Sequence, residues 1–183
     1  LTLLDTPGHA DFGAEMERTL AVLDYAVLII SGTDGVQAHT ETLWRLLERY
    51  RIPTFIFVNK MDQPGADRAH ILEELQRKLS PACLPHDTDE EALALCDERL
   101  MAEYLESGTL TETNLAAALA RRAWFPCFWG AALRQEGIAE LLEGLDRLTL
   151  APAYLPDFAA KVYKISTDAQ GSRLTHLKVT GGT

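Results

Sequence analysis

The sequence predicts an α/β fold in which a parallel sheet carries helices on both faces. Two observations lead to this prediction. Short apolar stretches alternate along the chain with longer stretches whose apolar residues recur at helical spacing, and such alternation is typical of parallel sheets packed between helices. Polar motifs also follow the apolar stretches directly, and the ligands of such sheets bind at the carboxyl ends of the strands.

Four short apolar runs predict the strands. Residues 25–31 (YAVLIIS) and 53–58 (PTFIFV) are continuously apolar, which is typical of strands buried on both faces. Residues 1–4 and 125–129 predict two more strands. Apolar residues at helical spacing predict helices over residues 14–23, 40–50, 66–79 and 138–148.

Residues 80–123 interrupt this alternation and are expected to form a helical insertion. The acidic stretch 89–106 has a helical pattern and is followed by a Ser-Gly break. Thr111 is suited to cap a second helix that runs to Arg122. The charges of this segment are expected to form a solvated face.

The pattern changes again at residue 151. Two prolines in the segment APAYLPD indicate a linker. The runs AAKVYKIS and RLTHLKVT alternate with a period of two around TDAQGS, which predicts an antiparallel hairpin. We therefore expect one domain over residues 1–150, and a linker with the start of a second domain over residues 151–183.

Composition narrows the class of protein. The net charge of −10 argues against nucleic-acid binding by a positively charged surface of these residues. The three cysteines, Cys83, Cys96 and Cys127, form no C-x-x-C pair, and their odd number fits a reducing cytosol. No apolar run is long enough to cross a bilayer, and no secretory signal is evident. We expect a cytoplasmic protein without a membrane partner.

The motif DTPGH follows the first predicted strand. Asp5 at a strand end is suited to hold Mg²⁺, directly or through water, and Gly8 lets a backbone N–H approach a terminal phosphate. His9 is suited to orient an attacking water molecule. Taken alone, the same residues also fit an ordinary turn.

The motif NKMD follows the strand PTFIFV. Asp62 can accept two hydrogen bonds from a base edge with adjacent N–H donors, as guanine has and adenine lacks. Asn59 is short enough to tie neighbouring loops together, and the stem of Lys60 can lie over a purine ring. The alternative is a polar loop without a ligand.

The motif GAAL, residues 130–133, follows the last predicted strand. Its small residues let the backbone N–H of Ala132 face a guanine carbonyl. Many loops are built from small residues, so this interpretation depends on the position of the motif after a strand.

Together these motifs resemble a known family. The order DTPGHADF, NKMD, GAAL at strand ends resembles the GTP-binding domain of the translation-factor GTPases, and the histidine after DTPG narrows the resemblance to that class. The segments LLDTPGHADF, VLDYAVLIIS, DGVQAHTETL and IPTFIFVNKMDQPGAD are most similar to the TetM-type ribosomal-protection proteins, which are relatives of elongation factor G. The last 26 residues resemble the first hairpin of that family's second, β-barrel domain.

The resemblance implies a partial P-loop GTPase domain that binds GTP or GDP with Mg²⁺ and acts on the ribosome. It implies that Asp5 contacts Mg²⁺ through a water molecule, that Gly8 contacts the γ-phosphate, and that His9 is the catalytic histidine. Ala131 stands where many members carry Ser, so the hydrogen bond of that hydroxyl is missing. The implied nucleotide-binding residues are Asp5, Gly8, Asn59, Lys60, Asp62, Ala131, Ala132 and Leu133.

No P-loop sequence G-x-x-x-x-G-K-[ST] occurs in the chain, and the switch-I segment is absent. We therefore expect a fragment of a ribosome-dependent GTPase of the tetracycline-resistance type, which hydrolyses GTP in the intact parent and is defective in this chain. One alternative is an elongation-factor-G-like or release-factor-recycling GTPase. An alternative of another class is a non-catalytic interaction module, a degenerate G domain.

Because the chain lacks the strand that leads into the P-loop, residues 1–4 would have no neighbouring strand on that side. Part of their backbone hydrogen bonding would then be missing. We expect them to move beside residues 25–31, to pair with another copy of the chain, or to fray. The exposed strand edges also predict self-association of the fragment.

Overall fold

The computed structural model describes residues 2–5 and 13–182. The chain forms two compact units, one of residues Tyr25–Leu150 and one of residues Leu1–Asp24 with Ala151–Thr183. Within the described residues, no helix combines the length and apolar character that a membrane span requires.

A four-stranded parallel sheet forms the centre of the unit Tyr25–Leu150. Its strands are β1 (Ala26–Ser31), β2 (Thr54–Asn59), β3 (Cys83–Pro85) and β4 (Phe125–Trp129), in the spatial order β1-β2-β4-β3. The prediction that the runs at 25–31, 53–58 and 125–129 pair in parallel is confirmed. The strand β3 was not predicted. It is only three residues long, and its pairing with β4 rather than its own composition makes it a strand.

Helices cover both faces of this sheet, as predicted. The helices α2 (Ala38–Arg49) and α3 (Arg68–Lys78) pack against one face. The other face is covered by α4 (Glu90–Ala94), α5 (Glu98–Ser107), α6 (Glu112–Ala120) and α7 (Ile138–Leu148).

The central strand β2 shows why its sequence is apolar throughout. Ile56 and Val58 point into the core beneath α2 and α3, whereas Phe55 and Phe57 point into the opposite core. All four side chains are at most 2% exposed. Burial of each such side chain contributes about 1.5–3 kcal/mol, so the strand is held from both faces.

The insertion differs in detail from the sequence prediction. The acidic stretch 89–106 forms two helices, α4 and α5, instead of one. The reason is a second capping residue, because the carboxylate of Asp97 accepts hydrogen bonds from the N–H groups of Arg99 and Leu100 and thereby starts a new helix. Thr111 caps α6 through its hydroxyl, as the sequence predicts.

The other unit contains α1 (Gly13–Leu20) and an antiparallel hairpin of β5 (Ala159–Thr167) and β6 (Arg173–Gly181). The hairpin was predicted from its alternation. The predicted helix 14–23 ends at Leu20, where Lys161 and Lys178 donate to the carbonyls of Ala21 and Val22. These two carbonyls lie just beyond the helix, where positive charge interacts favourably with the helix dipole.

The prediction of a strand at residues 1–4 is wrong over its described part. Residues 2–5 belong to no strand, and Leu3 is 85% exposed. Residues 2–5 pair with no strand among the described residues, so their backbone groups lack the partners that an extended strand requires.

An ion pair fixes the segment that follows β1. The carboxylate of Glu74 accepts the N–H of Val36 at 3.0 Å and pairs with Lys78 Nζ at 2.5 Å, and Lys78 also donates to the carbonyl of Val36. Burial raises the pKa of Glu74, but the hydrogen bonds from Lys78 and Val36 and the charge of Lys78 together hold this pKa below its ordinary value. The ionised carboxylate is therefore stabilised by folding.

We predict that Glu74→Gln lowers the free energy of unfolding at pH 7 by about 1 kcal/mol. The contribution of Glu74 is present above its unfolded-state pKa and is lost as the pH falls through its lower folded-state pKa. The difference between wild type and variant, measured by urea unfolding, should therefore shrink below about pH 4.5. The matched control Glu73→Gln, at the exposed neighbouring residue, should leave stability nearly unchanged. A difference between Glu74→Gln and wild type that persists undiminished at pH 3 would contradict the prediction.

Candidate nucleotide-binding site

Three loops meet at the carboxyl ends of β1, β2 and β4. The strands end in register, with Ser31 opposite Asn59 and Val58 opposite Trp129. Backbone hydrogen bonds continue into the loops. Gly32 N donates to the carbonyl of Asn59 at 2.7 Å, and Met61 N donates to that of Gly130 at 3.0 Å. The loops are thereby fixed side by side, as expected for a ligand site in a parallel sheet.

The side chain of Asn59 joins two of these loops. Its Oδ1 accepts the backbone N–H of Lys60 at 2.8 Å and that of Ala132 at 2.9 Å. Lys60 has a φ of 64°, a left-handed conformation that costs a residue with a Cβ about 1–2 kcal/mol. The hydrogen bond from its N–H offsets part of that cost, so Asn59 both supports the strained turn and anchors the GAAL loop.

Gly130 is required by close packing. A Cβ at this position would overlap the carbonyl oxygen of Glu136 and lie 2.9 Å from the ring of Phe57. A larger residue would therefore push the GAAL loop away from β2 and break its contact with Asn59.

A cavity of about 390 Å³ lies among these loops. Six of its lining residues belong to the motifs identified in the sequence, and Thr33 and Gln63 were not identified there. Thr33 lies two residues after the end of β1, so the strand-end rule that identified the other loops could have found it. The lining residues are Thr33, Asn59, Lys60, Asp62, Gln63, Ala131, Ala132 and Leu133.

The carboxylate of Asp62 is nearly enclosed. Its side chain is 13% exposed, and its Oδ2 lies 3.1 Å from Nε of Arg134, whose side chain is 62% exposed. Arg134 is a contact of the site that sequence reasoning did not identify, because the motif GAAL ends one residue before it. The ion pair engages one of the two carboxylate oxygens of Asp62.

The surfaces around this carboxylate suit a flat, polar-edged ring. Lys60 is exposed and Leu133 is 99% exposed, so both can cover an apolar ring face. Asp62 offers acceptors to donors on the edge of the ring. The N–H of Ala132 was expected to face a base carbonyl, and in this structure it donates to Asn59 Oδ1. These groups fit the base of a purine nucleotide.

Of the remaining predicted residues, Asp5 is described and is not part of this cavity's lining. Asp5 is exposed and belongs to the unit of residues Leu1–Asp24 and Ala151–Thr183. Gly8 and His9 lie outside the described residues. In the part of the chain that the structure describes, no three His, Cys, Asp or Glu residues are grouped so that they could hold a metal ion.

A second cavity, of about 430 Å³, lies at the amino-terminal end of β2 and is lined by Glu48, Arg51 and Arg122 among others. Arg122 is committed to the fold, since its guanidinium lies 4.9 Å from the ring of Trp44 and donates to Thr54 Oγ1. Arg121, at its rim, is paired with Asp97. This cavity lies away from the strand ends that carry the motifs, so the cavity at those strand ends is the candidate site.

Comparison with known proteins identifies relatives that match the whole chain. The chain is 36% identical to the tetracycline resistance protein TetM of Streptomyces lividans, over the whole chain and 33% of that protein. It is 37% identical to the oxytetracycline resistance protein of Streptomyces rimosus, over the whole chain and 32% of that protein. The chain thus spans about a third of the length of these relatives.

A solved structure shares the fold. The crystal structure of ttk003000868 from Thermus thermophilus superposes with a TM-score of 0.85 at 26% identity, over 98% of this chain and 35% of that one. Residues 1–151 match the family described as the elongation factor Tu GTP binding domain. The chain therefore belongs to that family of translation-factor GTP-binding domains, and it is similar to the TetM-type tetracycline resistance proteins.

Proposed function

We propose that this chain supplies the guanine-recognition part of a ribosome-dependent GTPase of the TetM ribosomal-protection type. The observation that carries the proposal is the cavity in which Asp62, Lys60 and the GAAL loop are held together by Asn59. We further propose that residues 1–150 act as the GTP-binding domain and residues 151–183 as the linker and start of a second domain.

Base recognition follows from the groups in the cavity. Asp62 would accept hydrogen bonds from the two adjacent N–H donors of guanine, and adenine would leave a carboxylate oxygen facing a lone pair. Lys60 and Leu133 would cover the faces of the ring. Asn59 acts indirectly, because it holds the loops that carry these groups.

Hydrolysis would depend on the DTPGH segment. We propose that Asp5 holds Mg²⁺ through water, that Gly8 contacts the γ-phosphate and that His9 orients the attacking water when the ribosome positions it. Mg²⁺ would neutralise charge on the phosphates. Action on the ribosome implies a cytoplasmic location. The names of the two Streptomyces relatives favour tetracycline protection over an elongation-factor-G-like or recycling role.

We predict that the 183-residue chain binds Mg·GDP more weakly than about 1 μM, or about −8 kcal/mol. The sequence contains no P-loop, whose backbone amides and lysine supply most of the phosphate interactions in this class. Isothermal titration calorimetry with Mg·GDP tests this. Micromolar or tighter binding would show that the P-loop motif is dispensable, whereas weaker binding, or none that calorimetry detects, fits the missing motif.

We predict that Asp62→Asn changes base preference from guanosine toward xanthosine monophosphate, because an amide can donate where a carboxylate only accepts. The measurement is NMR titration of the chain with GMP and XMP at millimolar concentrations. The control Gln63→Ala changes a residue that lines the same cavity and should keep the wild-type preference. If Asp62→Asn prefers GMP as strongly as wild type does, Asp62 does not read the base.

We predict that His9→Ala slows ribosome-stimulated GTP hydrolysis by about 10²-fold or more while GTP affinity stays near normal. The measurement uses a chimera in which this chain replaces the aligned third of the Streptomyces lividans relative. His86→Ala, in the same chimera, serves as a control, because His86 stacks on Phe128 away from the cavity lining. Undiminished turnover in the His9 variant would remove His9 from the catalytic role.

We propose finally that the chain self-associates through β1. In the described part of the chain β1 is an end strand of the sheet, and its Ile29 is 64% exposed. Open edges of this kind pair with other strands, and lysine on an edge opposes such pairing. Ile29→Lys should therefore abolish concentration-dependent association in sedimentation velocity. The control Leu105→Lys, at an exposed position on α5, should leave the association unchanged. A wild-type chain that stays monomeric at all concentrations would contradict the proposal.

A further inference from the structure

We propose that Arg134 is a positioning residue for base recognition, which holds the carboxylate of Asp62 and remains paired with it when a guanine base is bound. The proposal rests on the proposed function of the cavity and adds a specificity-determining residue outside the NKMD and GAAL motifs. Its starting point is the 3.1 Å contact between Arg134 Nε and Asp62 Oδ2.

The backbone that carries Arg134 is firmly fixed. Arg134 is the last residue of a short 3₁₀ turn, Ala132–Arg134, and its N–H donates to the carbonyl of Ala131 at 2.9 Å. Ala131 and Glu136 exchange two backbone hydrogen bonds, at 3.1 and 3.2 Å, which close the loop behind this turn. The guanidinium therefore reaches Asp62 from a rigid base.

The loop that carries Asp62 is bound to the same region. Met61 N donates to the carbonyl of Gly130, and Asn59 Oδ1 accepts from Ala132. The two partners of the ion pair thus lie on loops whose separation is set by hydrogen bonds on either side of it. The contact fixes the rotation of the Asp62 carboxylate, which the loops alone would leave free.

The charges favour a pair that persists on binding. Asp62 is only 13% exposed, and a neutral base placed over it would remove more water without adding positive charge. If Arg134 were displaced, the carboxylate would be buried without a counter-charge, which is strongly unfavourable. With Arg134 in place, the charge remains compensated.

The hydrogen-bonding capacity of the carboxylate permits this arrangement. Its two oxygens offer about four lone-pair sites. Arg134 faces one of the two oxygens, Oδ2, through the ion-pair contact of its Nε at 3.1 Å. The two donors of guanine need two of the lone-pair sites, so the base and the arginine can bind together. If Arg134 instead blocked the site, its removal would strengthen nucleotide binding, so the sign of the effect separates the two cases.

The first test uses the ligand-free chain. In a double-mutant cycle of Arg134→Ala and Asp62→Asn, followed by urea unfolding, we expect a coupling of about two- to fivefold in the unfolding constant, the range of an ion pair with one exposed partner. The cycle of Arg45→Ala and Glu41→Gln, for an exposed pair on α2 at 3.5 Å, gives the reference value. Absence of coupling between Arg134 and Asp62 would overturn the proposal.

The second test measures base discrimination by NMR titration with GMP and IMP, since IMP lacks the 2-amino donor. Arg134→Ala should weaken GMP binding about three- to tenfold and lower the ratio of GMP to IMP affinity, while Arg134→Lys restores part of the ratio. In the Asp62→Asn background, Arg134→Ala should have no further effect. Arg45→Ala should behave as wild type.

The outcomes separate this proposal from the proposed function. A guanine-selective wild type whose affinity and GMP-to-IMP ratio are unchanged or improved by Arg134→Ala would overturn the role of Arg134 alone. A wild type that binds GMP no better than AMP, or binds neither, would overturn the proposed function and this inference with it. A loss of affinity without a change in the ratio would reduce Arg134 to a structural contact and overturn its role in specificity.

Discussion

One amide oxygen, Oδ1 of Asn59, holds the candidate site together. It accepts the N–H of Lys60 and the N–H of Ala132, and so connects the turn after β2 with the loop after β4. Lys60 keeps a left-handed backbone in this arrangement, and the turn brings Asp62 to the cavity. Without this acceptor, two backbone donors would lose their partner, and the loop that carries Arg134 would lose one of its links to the end of β2.

The sheet makes that single contact possible. Because β1, β2 and β4 run parallel and end in register, their loops begin side by side. The packing of Gly130 against Glu136 and Phe57 leaves no room for a side chain and lets the GAAL loop lie flat on the end of β2. The apolar residues of β2, buried on both faces, hold the strand ends in place. The form of the candidate site is thus a consequence of strand register and close loop packing.

Much of this was predictable from local sequence. The strands at 25–31 and 53–58 are apolar throughout because both faces are buried, and NKMD could be placed at a strand end for that reason. Features decided by tertiary contacts were not predictable. The strand β3 depends on pairing with β4, and the contact of Arg134 with Asp62 joins residues 72 positions apart. The run at 1–4 has strand composition but no strand partner, so its predicted structure did not form over residues 2–5.

The central claim is that Asn59 joins the two loops, and amide hydrogen exchange at Ala132 tests it most directly. In the wild-type chain this N–H is bonded to Asn59 Oδ1 and should be protected, and in Asn59→Ala it should exchange at least about tenfold faster. The N–H of Gly130, bonded to the carbonyl of Val58, is an internal reference and should keep its protection in both. Equal exchange of the Ala132 amide in wild type and Asn59→Ala, with Gly130 protected, would contradict the account.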